Sequence, residues 1–304
     1  MTSMPVKGIF AAVLLSRKED GSLEEEALQS QLEFLIANGI RNFAVNGATS
    51  EYCQTTPAEL KRCLQIATEV LPAHTSILCG VGAACLRDTL VLGHTAGEAG
   101  VRGLLVPPPF FFPYTQTDVF AFAEAVATRL PVSQLLYHLP QFTSGFETGT
   151  TLDLVRRFNN IIGIKDSSGS LETLRALARE QATASKVVGN DGVLAQGLAE
   201  GICDGVVSGV AAVVPELVRA LFAHPPASPA FVIAAEHLKM FISHIETLPT
   251  PWGLKAIAEE RGIGPAVYPL PVSPQRVQQI RELRAWFREW EPGLGDLPCE
   301  AQVP

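Results

Sequence analysis

Apolar, strand-like runs alternate with amphipathic, helix-like segments from Gly8 to Phe222, and this beat repeats eight times. The strand-like runs are Gly8–Ser16, Asn42–Asn46, Ser76–Gly82, Gly103–Pro107, Gln134–Leu139, Ile161–Lys165, Lys186–Gly189 and Gly205–Ser208. The first intervening segment carries Leu28, Leu32, Leu35 and Ile36 at helical spacing. The second opens on Thr56 and Pro57, a helix-start signature. Strands separated by helices must run parallel and be joined by crossovers. Eight such units predict an α/β fold of the (β/α)8 TIM-barrel type. An open doubly wound sheet is the rival, but it carries a glycine-rich phosphate turn after its first strand. The nearest match here, Gly80-Val81-Gly82, follows the third strand and lacks the third glycine.

The beat stops after His224. Pro225, Pro226 and Pro229 punctuate a linker, and helical patterns follow over Phe231–Leu248, Trp252–Arg261 and Pro274–Trp290. The expected organisation is therefore a barrel domain over residues 1–224 and a C-terminal helical extension over residues 225–304. The tail from Glu291 onward is expected to be loosely ordered.

A hydrophobic content of 47% against 18% charged residues describes a chain that buries a large core. A net charge of −8 without a Lys/Arg run argues against a nucleic-acid partner, whose phosphates need a basic surface. The cysteines at 53, 63, 79, 85, 203 and 299 form no CxxC pair, and most sit in apolar surroundings. They read as reduced thiols, and no metal site is expected. No run has the length to cross a bilayer and no signal-peptide core opens the chain, so a cytoplasmic enzyme without membrane association is expected.

Barrel enzymes place their chemistry at the C-terminal ends of the strands. There the chain reads Gly47-Ala48-Thr49-Ser50-Glu51 after strand two and Pro109-Phe110-Phe111-Phe112 after strand four. Strand five ends in Tyr137-His138-Leu139-Pro140 and strand six in Gly163-Ile164-Lys165-Asp166. A lysine ending a buried apolar strand loses its hydration, which favours the neutral amine. Only the free amine attacks a carbonyl carbon to form a Schiff base. Strand alternation sends Lys165 and Gly163 to one face, where the glycine is expected to leave space beside the amine. Tyr137 on the neighbouring strand would reach the same cavity, as a general acid/base. The Thr49 turn offers N–H groups to a carboxylate. His138 points to the opposite face and reads as packed between barrel and helices. Glu51 reads as a loop anchor, and His237 and His244 as solvated surface. The Phe110–Phe112 run suits either a subunit contact or a wall for an apolar substrate portion.

Taken together, the Gly-x-Thr-x-Glu, Tyr-x-x-Pro and Gly-x-Lys-Asp motifs, in this order and spacing, resemble the pyruvate-dependent class I aldolases. That family includes dihydrodipicolinate synthase and N-acetylneuraminate lyase. The resemblance runs from Gly8 to the helices around Pro251 and Lys255. It implies that Lys165 forms the Schiff base and that Tyr137 relays protons. Ala48 and Thr49 would hold the carboxylate of a 2-oxo acid, and Gly189, Val207 and Ser208 would line the same pocket. It implies a lyase that cleaves or condenses a carbon–carbon bond, without a cofactor, in a homotetramer built as a dimer of dimers. A keto-deoxy sugar acid dehydratase using the same lysine is the alternative. A non-catalytic 2-oxo-acid binding protein is a further one.

The chain also departs from the synthase pattern. Phe142 stands where the synthase has an arginine for a second carboxylate. Ala48 replaces one hydroxyl of its relay, and Phe111 replaces the tyrosine given by a neighbouring subunit. These changes argue that the chain is a dihydrodipicolinate synthase in name only.

Overall fold

The computed structural model describes residues 6–297. Eight parallel strands form a closed barrel in chain order: β1 (Gly8–Ala12), β2 (Asn42–Val45), β3 (Ser76–Gly80), β4 (Gly103–Val106), β5 (Gln134–His138), β6 (Ile161–Asp166), β7 (Ser185–Val188) and β8 (Gly205–Ser208). Each strand pairs with the next, and β8 closes on β1 with Phe10 opposite Val207. The crossover helices are α1 (Glu25–Ala37), α2 (Pro57–Val70), α3 (Leu86–Glu98), α4 (Gln116–Arg129), α5 (Thr148–Arg157), α6 (Glu172–Glu180), α7 (Leu194–Ala199) and α8 (Pro215–Ala223). A C-terminal helical stretch follows as α9 (Pro229–Ile245), α10 (Trp252–Glu260) and α11 (Pro274–Trp290). The barrel and the helical stretch that the eightfold beat predicts are both present.

Alternation along the strands divides the core into two layers. Phe10, Ala12, Ala44, Leu78, Leu105, Leu135, Tyr137, Val187 and Val207 fill the barrel interior. Ile9, Ala11, Phe43, Val45, Cys79, Leu136 and Val206, their immediate chain neighbours, pack outward against the helices. α2 begins as the sequence predicts. Thr56 caps it by accepting the Glu59 N–H at 3.2 Å, and the Glu59 carboxylate accepts the Thr56 N–H at 2.9 Å.

Several boundaries move, each for a physical reason. The run predicted as one strand to Ser16 leaves the sheet after Ala12, although Val13, Leu14 and Leu15 stay buried. The Leu14 N–H there donates to the buried Gln31 side chain at 3.0 Å instead of a neighbouring strand. α5 starts at Thr148, before the apolar pattern begins, and the Thr148 and Thr173 hydroxyls share a hydrogen bond of 2.8 Å. The predicted loose tail is ordered over its first part. Glu291–Asp296 forms a 3₁₀ turn, Leu294 and Leu297 are buried, and Glu291 pairs with Arg261 at 3.0 Å. The rest of that tail, including Cys299, lies outside the described residues.

His237 and His244 are not a solvated pair. His244 stacks on Trp286 with centroids 3.8 Å apart, and His237 tilts over Trp290 at 5.7 Å. These contacts bind α9 to α11. α10 is apolar almost all round and correspondingly buried, from Trp252 to Ala258. No helix among the described residues is long and apolar enough to cross a membrane.

Candidate active site

β6 lies between β5 and β7, and its register places Lys165 opposite Tyr137 on one side and Val187 on the other. Both neighbours belong to the interior layer, so the lysine side chain enters the barrel from the strand end. It is 3% exposed. Its Nζ sits 4.0 Å from the centroid of the Tyr137 ring, over the aromatic face. Among the described residues Lys165 takes part in no ion pair. The adjacent Asp166 is turned away, its Oδ1 accepting the Ser168 N–H at 2.9 Å and the Ser168 hydroxyl at 2.6 Å.

A cavity of about 310 Å³ opens above this lysine. Ala48, Thr49, Tyr137, Lys165, Gly189 and Val207, six of the seven residues expected from the sequence, line it. Ser208 does not. Its hydroxyl oxygen accepts the Ala211 N–H at 2.8 Å, and its own proton goes to Asp191. The alternation that points Val207 inward turns Ser208 out of the cavity.

The glycine that makes room for the lysine is also a different one. Gly163 has φ +150°, and a Cβ there would lie 2.1 Å from the Ser185 carbonyl oxygen, against the backbone of β7. Its lack of a side chain serves strand packing beside the register shift at Gln134 and Leu135. Gly189 does what Gly163 was expected to do. A Cβ at Gly189 would lie 2.8 Å from Lys165 Cε and 2.2 Å from Ser167 Oγ.

Thr49 lies in a 3₁₀ turn over Ala48–Ser50, and its hydroxyl donates to the Ala12 carbonyl at 3.2 Å. The N–H groups that open such a turn have no partner within it. Glu51, in the left-handed region at φ 54°, anchors the loop as expected. It receives Lys255 Nζ at 2.5 Å, and that ammonium also donates to the Val267 carbonyl at 2.9 Å. His138 lies outside the barrel interior, its Nδ1 accepting the Phe146 N–H at 2.8 Å. Burial pushes its imidazole below the usual range, with the Asp166 charge working against that.

Three sets of cavity residues lie beyond the seven expected site residues. Asp191 is one. Burial pushes its carboxyl up, opposed by hydrogen bonds from Ser208 and the Val210 N–H and by the charge of Lys165. Its Oδ2 accepts the Val210 N–H at 3.2 Å, whereas Oδ1 is buried without a protein partner. Ser167 is the second, with a buried hydroxyl that likewise lacks one. The third comes from the C-terminal helices, where Ile242, Ile245, Glu246, Thr250 and Leu254 complete the rim. In sequence Asn190-Asp191 reads as a turn at the active end of the barrel, within reach of substrate hydroxyls, and it does line the cavity, whereas apolar positions on a helix read as core. No spacing signal distinguishes them. No cluster of metal-ligating side chains exists among the described residues.

The model of the dihydrodipicolinate synthetase family matches residues 5–289. The chain belongs to that family. It is therefore an aldolase-type lyase by descent, and the expectation drawn from the three motifs holds at that level. An uncharacterized DapA-like lyase of Chloroflexus aurantiacus is 30% identical over 291 residues, covering 92% of this chain and 96% of the relative. The 4-hydroxy-tetrahydrodipicolinate synthase of Methylacidiphilum fumariolicum superposes with a TM-score of 0.85 at 22% identity, over 96% of this chain and 99% of that one. The N-acetylneuraminate lyase of Mycoplasma synoviae does so with a TM-score of 0.80 at 18% identity, over 93% and 97%. At these identities the two structures speak for the shared barrel.

Proposed function

We propose that this family member works through a Schiff base on Lys165. The amine adds to the ketone carbon of a 2-oxo acid such as pyruvate, and water leaves to form an iminium. The iminium withdraws electrons from the adjacent carbon, which gives up a proton to become an enamine. The enamine carbon then attacks an aldehyde, whose oxygen takes a proton, and hydrolysis releases the product and the free lysine. Run backwards, the same steps cleave a carbon–carbon bond. The iminium is itself the electron sink, so the chemistry calls for no metal or organic cofactor.

One observation carries this reading. Lys165 is a buried amine that lines a cavity, lies against Tyr137, and has no ion-pair partner among the described residues. In this reading the Tyr137 phenol moves protons to and from the intermediates. Thr49 and the N–H groups of Ala48 and Thr49 hold the carboxylate. Gly189 and Val207 shape the pocket, and Ser208 contributes by holding Asp191. Phe142 at the cavity mouth supports a second substrate other than that of the synthase, since it offers no charge to another carboxylate. The assembly proposed is a homotetramer of paired dimers.

Borohydride reduction in the presence of pyruvate is the test. It should label the protein irreversibly, with the adduct mapping to Lys165 by peptide mass. Labelling elsewhere, or none, overturns the reading. Product mass from 2-oxo acids then separates an aldolase from a dehydratase, and absence of any turnover would mark a binding protein.

A further inference from the structure

The register that sets Lys165 opposite Tyr137 also sets Asp166 opposite His138, one step further along the same two strands. Alternation turns this second pair outward, behind the first. The imidazole is half-buried under the loop that joins β5 to α5. Its Nδ1 accepts the Phe146 N–H at 2.8 Å, which ties the far end of that loop back to the strand. A backbone N–H can only donate, so Nδ1 carries no proton and the imidazole is the neutral Nε2–H tautomer. Gly145, at φ +65°, packs so closely on it that a Cβ there would stand 2.7 Å from Nδ1.

That loop forms part of the cavity wall, through Leu139, Gln141 and Phe142. Within it, the Phe142 and Thr143 N–H groups donate to the Leu139 carbonyl at 3.1 and 3.0 Å. Two further bonds join it to the loop after β6. Gln141 Nε2 donates to the Ser167 carbonyl at 3.0 Å, and the Ser167 N–H donates to the His138 carbonyl at 2.9 Å. Ser167 itself lines the cavity. Of these bonds, only that between His138 and Phe146 has an acceptor that titrates near neutral pH.

We infer that His138 is a positioning residue: its neutral imidazole fastens the β5–α5 loop at the Lys165 cavity, and its protonation releases that loop. The inference rests on the Schiff-base reading above for what the cavity binds. A proton on Nδ1 sets a donor against the Phe146 donor, so the bond is lost. A cavity whose wall is in place only part of the time binds more weakly by that fraction. The charged groups around the imidazole are Asp166 on β6 and, across a cavity of about 440 Å³, Glu147 and Glu172. Burial outweighs the Asp166 charge and sets the imidazole below its ordinary 6.5. The fastening is therefore complete above pH 6.5 and is lost as pH falls through the folded value.

The experiment measures the pyruvate concentration that half-saturates borohydride labelling of Lys165, from about pH 8 to about pH 5, the range in which imidazoles titrate. It compares the full wild-type chain with His138→Asn, whose Oδ1 offers an acceptor in place of Nδ1 and takes up no proton. The ratio of the two concentrations is read at each pH, so titration of Lys165 and of pyruvate cancels. Wild type over His138→Asn should rise by about fivefold or more toward acid, the worth of one hydrogen bond. A ratio flat with pH overturns the inference and leaves the Schiff-base reading standing. His138→Leu offers no acceptor and should need more pyruvate than His138→Asn throughout; equal requirements overturn the inference too. Hydrogen exchange of residues 139–147 without pyruvate is the second measurement. It should be faster in wild type than in His138→Asn at about pH 5 and equal at about pH 8. If Lys165 takes no label at any pH, the Schiff-base reading fails, and exchange alone decides whether His138 holds the loop: equal exchange throughout overturns it.

Discussion

Lys165 and Lys255 are 3% and 2% exposed, yet their surroundings are opposite. Lys255 lies in the seam between α10 and the loop after β2, where Glu51 and the Val267 carbonyl take its protons. Lys165 lies in the barrel mouth against a phenol ring, and its neighbour Asp166 spends its hydrogen bonds on Ser168. Lys186, a third buried lysine, resembles Lys255, with Asp204 at 2.7 Å and the Ala184 carbonyl at 2.8 Å. A buried ammonium with a carboxylate is a structural fastening, because its charge is compensated. A buried amine with none can be converted to an electrophile without breaking the fold. On the proposed Schiff-base reading, the difference between the two regions separates support from chemistry.

Replacing the two lysines by methionine breaks the comparison most directly. Lys165→Met should lower turnover of 2-oxo acids by about 10³-fold or more while leaving unfolding by urea within about 1 kcal/mol of wild type. Lys255→Met should do the reverse in kind, since it strands the Glu51 carboxylate. It should cost about 3–5 kcal/mol in the same urea titration. Restoration of part of that loss by adding Glu51→Gln would tie the effect to the uncompensated charge. Equal destabilisation by both single changes would show that the two environments are not different.

Tyr137→Phe sharpens the role of the ring against that of the hydroxyl. It keeps the aromatic face under Lys165, so borohydride labelling with pyruvate should persist. Turnover should fall by about 10²-fold as the proton relay is lost. Loss of labelling together with turnover would instead assign the hydroxyl to forming the iminium.

The smallest effect belongs to Asp191. Its folded carboxyl is raised above the ordinary 3.8 by burial, so the native state binds its proton more tightly than the unfolded chain does. The stability from that site is fully present below pH 3.8 and is lost as pH rises through the folded value. Asp191→Asn removes this dependence. Its melting temperature relative to wild type should rise from acid toward neutral pH, and an advantage growing in the other direction would contradict it.

The barrel and the lysine were legible because they rest on local rules. Period-two alternation and apolar runs mark strands, and a cation after such a run marks a strand end. What stayed hidden depends on register and packing between distant segments. Whether Gly163 or Gly189 clears space for Lys165 follows from the shift at Gln134 and Leu135, which no single strand reveals. Ser208 was expected in the pocket from the family resemblance, but one further step of alternation beyond Val207 turns it toward Ala211 and Asp191. The rim residues Ile242, Ile245 and Leu254 are apolar helix positions, indistinguishable in sequence from core. His237 and His244 looked solvated because their partners, Trp290 and Trp286, are on another helix.

The fastening between Glu51 and Lys255 spans 204 positions of chain. On a ribosome, the loop bearing Ala48 and Thr49 emerges long before the ammonium that anchors it. All eight strands can be in place while that loop still has its carboxylate uncompensated and the rim of α9 and α10 has yet to arrive. The loop that carries Ala48 and Thr49 is therefore secured only after α10 has been made, so the two ends of the gene jointly set the shape of the cavity.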